Sequence, residues 1–305
     1  MSQHTAAIDL GGTHVRAAVV RADGTILAAV RRGTPVDEPR PDFLADLVAE
    51  AVDHAHGATI ECAVVGIPGI IDHERDALVH APNIPAGWTA HLTGPALTND
   101  LGVPVSLAND ADLAAVGEAS FGAGRDYRDV VYVTISTGVG AGIVVDRQLV
   151  RGTYSGGEIG HTVIDAVAAR AGRPATVEEL GAGPTIAADA AAAGLSERDA
   201  ALAALVREGE PRATEVWNRA IESVGIGVVN LAWIITPEVV VIGGGVGNNS
   251  DIVVPVVRRL LDAHGPGVPG GIAVAGAALG DDAALAGAPG WFEAIGRGLP
   301  VGRRP

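Results

Sequence analysis

The sequence predicts an α/β protein built of two related lobes, and three observations carry that prediction. At the N-terminus a strand, a Gly-containing turn, a second strand, an Asp-led turn and a third strand follow one another, and the same order returns about 127 residues later. Each copy continues through a helical stretch to an apolar strand that ends in glycine. The composition, 48% apolar and 3% aromatic with 42 Gly in 305 residues, lets Ala, Val, Ile and Leu fill the core while Gly serves turns and close approaches. A long-period echo of this kind indicates duplicated architecture.

The elements follow in order. Ala6–Leu10, Val15–Arg21 and Thr25–Val30 read as strands, with Gly11-Gly12-Thr13 and Asp23-Gly24 as their turns; Asp-Gly between apolar runs is a strong hairpin signal. Phe43–Ala55 has helical spacing and leads to the strand Cys62–Ile67, which Pro68-Gly69 stops. Val103–Ala108 is an apolar strand, and Asn109-Asp110 opens the Ala-rich helix Ala111–Phe121. In the second copy Val130–Ser136 leads into the glycine-rich turn Thr137–Gly142, then Ile143–Val145, Asp146-Arg147 and Gln148–Val150. Helices are expected at Thr185–Ala193 behind Gly183-Pro184, at Glu197–Arg207 and at Glu215–Ile235. The strand Val239–Ile242 then ends on Gly243-Gly244-Gly245, and Val301–Pro305 reads as a frayed tail.

Charge excludes several functions. With 21 Lys+Arg against 36 Asp+Glu the net charge is −15, too acidic for a broad phosphate-binding face on nucleic acid or for polybasic attachment to a membrane. No run of 18 uncharged apolar residues predicts a membrane span, and Met1–Thr5 has no export character. Cys62 stands alone, which leaves no internal disulfide and no cysteine-based zinc cluster. A soluble, cytoplasmic protein is expected, with small molecules as partners.

Three glycine turns and several carboxylates could carry chemistry. Gly11 and Gly12 let the backbone approach an anion, Thr13 adds a hydroxyl, and Asp9 is placed to hold a phosphate-bound Mg²⁺ through water; the same residues also suit a plain tight hairpin. Thr137 and Gly138 offer the same chemistry from the second copy, and Gly244 and Gly245 suit a flat base or ribose against backbone. Asn109-Asp110 reads either as a helix cap or as a carboxylate at a strand's carboxyl end that takes a proton from an attacking hydroxyl. Glu158, His161 and Glu178 suit the hydroxyls of a polyol, or half of a metal site. No P-loop and no Rossmann GxGxxG is present.

From about Ala6 to Ala288 the chain resembles the ROK family, and within it the bacterial glucokinase-like sugar kinases. The marks are Asp9-Leu10-Gly11-Gly12-Thr13 with Arg16, Gly66 to Asp72 with its Pro68-Gly69, Pro82-Asn83 with Trp88, Asn109-Asp110 to Glu118, Thr137 to Gly142, Gly157-Glu158-Ile159-Gly160-His161, Pro237 to Gly245, and Ala278–Ala288. The resemblance implies the two-lobed actin-like (ribonuclease H-like) sugar kinase fold with a cleft between lobes. Residues 1–109 would form a small N-terminal lobe and 110–288 a large one, with 289–305 returning to the small lobe. It implies Asp110 as general base, Asn109, Glu158, His161 and Glu178 as sugar ligands, and Asn83 and Gly69 as secondary contacts. Asp9, Gly11, Gly12, Thr13, Thr137 and Gly138 would handle the phosphates of ATP and Mg²⁺, with Gly244 and Gly245 near the adenosine. A homodimer or tetramer is implied as well.

One departure stands out. Many members carry a zinc module after the Gly-His, of the form Cys-x-Cys-Gly-x-x-Gly-Cys-x-Glu. Here Ala169, Ala171 and Thr176 stand at the three cysteines, while His161 and Glu178 remain. One imidazole does not hold a structural zinc, so no zinc site is expected and packing should hold the loop. The expected reaction is transfer of the γ-phosphoryl of ATP to a primary hydroxyl, at the 6-position, of a hexose or hexose-like sugar: glucose, an amino sugar such as glucosamine or kanosamine, or a cyclitol. A polyphosphate-dependent glucokinase is the alternative. A sugar-responsive transcriptional regulator would need a DNA-binding domain ahead of the first motif, where only eight residues precede Asp9.

Overall fold

The structure, a computed structural model, describes residues 4–36 and 42–296. Two five-stranded sheets organise it, and they repeat one design. In the first, the meander β1 (His4–Leu10), β2 (His14–Arg21) and β3 (Ile26–Gly33) leads through helix α1 (Phe43–His54) to β4 (Ile60–Ile67). A small hairpin, β5 (Ile70–Asp72) and β6 (Ala77–His80), and helix α2 (Gly94–Leu101) precede β7 (Val105–Asn109) and helix α3 (Asp110–Phe121). The sheet order is β3-β2-β1-β4-β7, with β1, β4 and β7 parallel.

The second sheet begins with β8 (Val130–Ile135), β9 (Val139–Val145) and β10 (Gln148–Leu149). Helices α4 (Ala166–Arg170), α5 (Val177–Gly181), α6 (Gly183–Ala192), α7 (Asp199–Arg207) and α8 (Pro211–Ile235) lead to β11 (Val239–Gly243). Helices α9 (Gly244–Gly247) and α10 (Ser250–His264) then lead to β12 (Ala273–Gly276), and α11 (Ala283–Gly287) and α12 (Trp291–Ala294) close the described chain. The order β10-β9-β8-β11-β12 repeats the first sheet position for position. The duplicated architecture expected from the sequence is therefore present. Its parallel strands β7 and β11 are buried along their whole length.

Packing divides the chain into two compact units, Met1–Asp126 with Gly142–Gly156 and Asp282–Pro305, and Tyr127–Ala141 with Gly157–Asp281. Helix α3 lies in the first unit because Gly117 and Gly287 let it meet α11 backbone to backbone: a Cβ on Gly117 would fall on the Ala283 carbonyl oxygen, and one on Gly287 on that of Leu113. Trp291, fully buried, donates its indole N–H to Ser106 Oγ at 3.1 Å.

Three local expectations are corrected. The second glycine-rich segment is not a turn through Gly142: β9 already begins at Val139, leaving Ser136–Gly138 as the turn. Gly142 is a strand residue whose missing Cβ makes room for the Ala111 carbonyl and Ala115 of α3. The strand before Asn109-Asp110 is shifted to Val105–Asn109. The strand expected at Val239–Ile242 runs one residue further, to Gly243, and Gly244 opens α9. The frayed tail expected at Val301–Pro305, and Met1–Gln3 of the N-terminal reading, lie outside the described residues. Among the described residues no helix is long and apolar enough to cross a membrane.

Candidate active site

The residues singled out in the sequence fall into two sets, one in each unit. In the first unit the parallel register places Asp9 beside Gly66 and Ile67 beside Asn109, so the carboxyl ends of β1, β4 and β7 are level. Carboxyl ends of parallel strands are where α/β folds gather ligands. The turn after β1 is closed by Gly11 N–H donating to the His14 carbonyl (2.9 Å), and Thr34 Oγ1 donates to the Gly11 carbonyl (2.6 Å). Gly12 lies so close to the Asn83 carbonyl oxygen that any Cβ would overlap it, which brings Asn83 and the turn together. Thr13 is exposed, and its hydroxyl has no hydrogen-bond partner among the described residues. Arg16 donates to Asp9 Oδ2 through Nε (3.2 Å) and Nη2 (2.9 Å), while its Nη1 reaches Asp282 Oδ1 (2.9 Å).

The two readings of Asn109-Asp110 are separated by geometry. Asn109 is the cap: it is 7% exposed, and its Oδ1 accepts the N–H groups of Ala111 (2.9 Å) and Asp112 (3.2 Å). Its Nδ2 donates to the Gly69 carbonyl (3.0 Å), joining two of the expected site residues. Asp110 is the first residue of α3, half-buried, with Oδ1 sharing the Ala111 N–H (2.9 Å). Gly69 itself leaves no room for a Cβ against His80 and Ala81. Sequence reasoning missed Ser155, whose Oγ accepts the Ile71 N–H (2.9 Å) and lies 3.5 Å from the Gly69 carbonyl, 86 residues away in sequence.

In the second unit the turn after β8 is held at three points. Ser136 N–H donates to the Gly138 carbonyl (2.8 Å), Gly183 N–H to the Ser136 carbonyl (2.8 Å), and Val139 N–H to Glu178 Oε2 (2.9 Å). Thr137 at its tip is exposed, and its hydroxyl has no partner among the described residues. Glu158, His161 and Glu178 come together here. His161 Nε2 lies 3.8 Å from Glu158 Oε2, and Gly160 packs against the Val139 carbonyl and Glu178 Cβ. Burial pushes the Glu158 carboxyl above its ordinary range; His161 opposes that shift, and the negative charge of Glu178 adds to it. Gly244, at φ +84°, has the Thr134 hydroxyl and Ile135 carbonyl where a side chain would stand. At Gly245 the nearest atom to a Cβ would be Ser136 Oγ at 4.0 Å, which leaves an open stretch of backbone.

The loop at Ala169, Ala171 and Thr176 does not fit a zinc ion. Ala169 and Ala171 have no donor atom, and the Thr176 hydroxyl is engaged in capping α5. Hydrogen bonds hold the loop, correcting the expectation of packing alone. Glu179 Oε2 accepts Ala175 N–H (2.9 Å), Thr176 N–H (3.0 Å) and the Thr176 hydroxyl (3.1 Å), Ile164 N–H donates to the Ala175 carbonyl, and Asp165 caps α4. Glu179 was not singled out in the sequence, although Thr176-Val177-Glu178-Glu179 carries the capping-box spacing. Asp9 fits Mg²⁺ better: Arg16 engages only Oδ2, so Oδ1 is left for a water of a hydrated ion.

The ROK family model matches residues 5–295. A glucokinase of Streptomyces coelicolor is 30% identical over 277 residues, covering 84% of this chain and 86% of that protein. An N-acetylmannosamine kinase of Escherichia coli O6:H1 is 31% identical over 261 residues, covering 84% and 88%. A ROK glucokinase of Streptomyces griseus, solved in complex with glucose and AMPPNP, superposes with a TM-score of 0.75 at 28% identity, covering 93% of this chain and 97% of that one. The duplicated sheets are those of the actin-like (ribonuclease H-like) α/β fold, and the chain belongs to the ROK family.

Proposed function

We propose that this chain transfers the γ-phosphoryl group of Mg·ATP to a primary hydroxyl, at the 6-position, of a hexose or hexose-like sugar. That it is a sugar kinase follows from its family and its relatives. The observation that carries the mechanism is Asp110: a half-buried carboxylate opening α3 at the end of β7, beside the Asn109 cap with which it shares the Ala111 N–H. In this reading Asp110 accepts the proton of the acceptor hydroxyl. Asn109, held on Gly69, orients that hydroxyl, and Asn83 supports it from the turn side. Glu158, His161 and Glu178 receive the remaining hydroxyls. Gly11, Gly12, Thr13, Thr137 and Gly138 present backbone N–H and hydroxyl donors to the phosphates, with Gly244 and Gly245 beside the nucleoside. Asp9 would hold Mg²⁺ through water; the ion, when bound, neutralises charge on the transferring phosphates.

Support for the acceptor comes from the clustering of two carboxylates and an imidazole, each able to pair with a hydroxyl. The test is ADP release with Mg·ATP over glucose, mannose, N-acetylmannosamine, glucosamine and 3-amino hexoses, with polyphosphate as a second donor. Turnover on one sugar with ATP is the expected result. Activity with polyphosphate alone would replace the donor, and no activity across the panel with either donor would overturn the reading.

Copies of the chain are further proposed to associate through α8. Ile226, Trp233 and Ile234 are 41, 60 and 76% exposed on one face, in a stretch without a charged residue from Ser223 to Pro237. On a chain of net charge −15 such a face is where a second copy can pack without repulsion. Trp233→Asp should lower the mass measured by light scattering; an unchanged mass would contradict this interface.

A further inference from the structure

We infer that Glu178 has a second task besides the acceptor: it is the positioning residue that sets the donor-side turn Ser136–Gly138. The inference rests on reading that turn as the one that receives phosphates. Its Oε2 accepts the Val139 N–H at 2.9 Å, the one side-chain bond to this turn among the described residues. The remaining bonds come from backbone, Ser136 N–H to the Gly138 carbonyl within the turn and Gly183 N–H to the Ser136 carbonyl from α6. Gly138 is built around the same carboxylate, because a Cβ there would stand 2.5 Å from Glu178 Oε2. On its other side Gly160 packs against Glu178 Cβ at 3.3 Å, and Glu158 feels the Glu178 charge.

One carboxylate thus has two ends with different duties. Oε2 fixes the direction of Val139 N–H, and with it the tip at Thr137 whose hydroxyl is unpaired among the described residues. Oε1 remains for an acceptor hydroxyl. A residue that touched the acceptor alone would have no reason to be bonded to the turn. The consequence is that acceptor and donor are registered on the same carboxylate, a form of preorganisation.

Substitution separates the two duties. Glu178→Gln keeps an oxygen to accept the Val139 N–H but presents an amide to the acceptor, whereas Glu178→Ala loses both. Binding of Mg·AMPPNP without sugar should be within about twofold of wild type in E178Q and weaker by roughly tenfold in E178A, the weight of a hydrogen bond to a charged group. Sugar KM should rise in both. Amide hydrogen exchange at Val139 in the free protein gives a readout that needs no ligand: slow in wild type and E178Q, faster in E178A. Equal nucleotide affinity and equal Val139 exchange in E178A and wild type would overturn the inference, as would E178Q failing as badly as E178A. If wild type bound no nucleotide while Val139 exchange still followed the predicted order, the donor reading would fail and the anchoring of the turn would stand.

Discussion

The turns after β1 and after β8 occupy the same place in the duplicated meander and both are closed by backbone bonds, yet different side chains brace them. The first, Gly11–Thr13, is held by backbone and by Thr34, with Gly12 pressed on the Asn83 carbonyl and Arg16 clamping Asp9 nearby. The second, Ser136–Gly138, has its own backbone bond and one from α6, and is braced besides by the Glu178 carboxylate, against which Gly138 is pressed. Duplication therefore preserved the path of the strands and left the chemistry that stiffens each turn free to differ. The first has the Arg16 guanidinium paired with the Asp9 carboxylate; the second has the Glu178 carboxylate bonded to the Val139 N–H.

The comparison can be broken most sharply at its glycines. Gly12→Ala places a methyl on a backbone carbonyl that cannot swing away, so turnover should fall by more than tenfold and stability by about 1–3 kcal/mol. Gly138→Ala meets only the end of the Glu178 side chain, so its loss should be clearly smaller in thermal melts, while kcat/KM still falls as the carboxylate is pushed from Val139. Equal losses would mean that the two turns are held alike. Arg16→Ala comes next: it frees Asp9 and Asp282 from a shared, largely buried guanidinium. The expected outcome is a several-fold rise in the KM for Mg·ATP with the sugar KM unchanged.

The second set can be sharpened by pH. Burial holds the Glu158 carboxyl above the usual range, so the acid limb of kcat/KM for the sugar should lie above that of an ordinary carboxylate. Removing the group that opposes the shift, in His161→Ala, should move the limb to higher pH; removing the negative charge that adds to it, in Glu178→Gln, should move it lower. Shifts of the same sign in both variants would contradict the assignment. The smallest effect is expected at the loop that lacks zinc ligands. Thr176→Ala should cost about 1 kcal/mol, near 2 °C in Tm, by removing an N-cap. Hydrogen bonds hold the Glu179 and Asp165 carboxyls below their ordinary values, so their contribution is present at neutral pH and is lost as pH falls from those ordinary values through the lowered ones. Amide exchange over 165–181 should accelerate on acidification.

Much of this was legible in the sequence. Asp23-Gly24 gave the β2–β3 hairpin, the apolar run Val239–Ile242 gave β11, and the returning order of strands and glycine turns gave the second sheet. What escaped has physical reasons. Gly140 and Gly142 read as turn residues because glycine signals a turn locally, but Gly142 answers to Ala111 and Ala115, which only the fold brings near. The hairpin β5–β6 and strand β12 are three or four residues long, too short to show a period. Among site residues, spacing along the chain said nothing of the bonds from Ser155 and Glu178, whose partners lie 84 and 39 residues away.

The central claim is that Asp110 is the base and Asn109 the cap. It is tested most directly by Asp110→Asn, with sugar affinity by calorimetry and turnover by ADP release measured on one preparation. Turnover should fall by at least the roughly 10²–10⁴-fold that a general base contributes, with sugar Kd within about twofold of wild type. Binding and turnover lost together would make Asp110 a structural residue of α3, and turnover retained would assign the proton to another group.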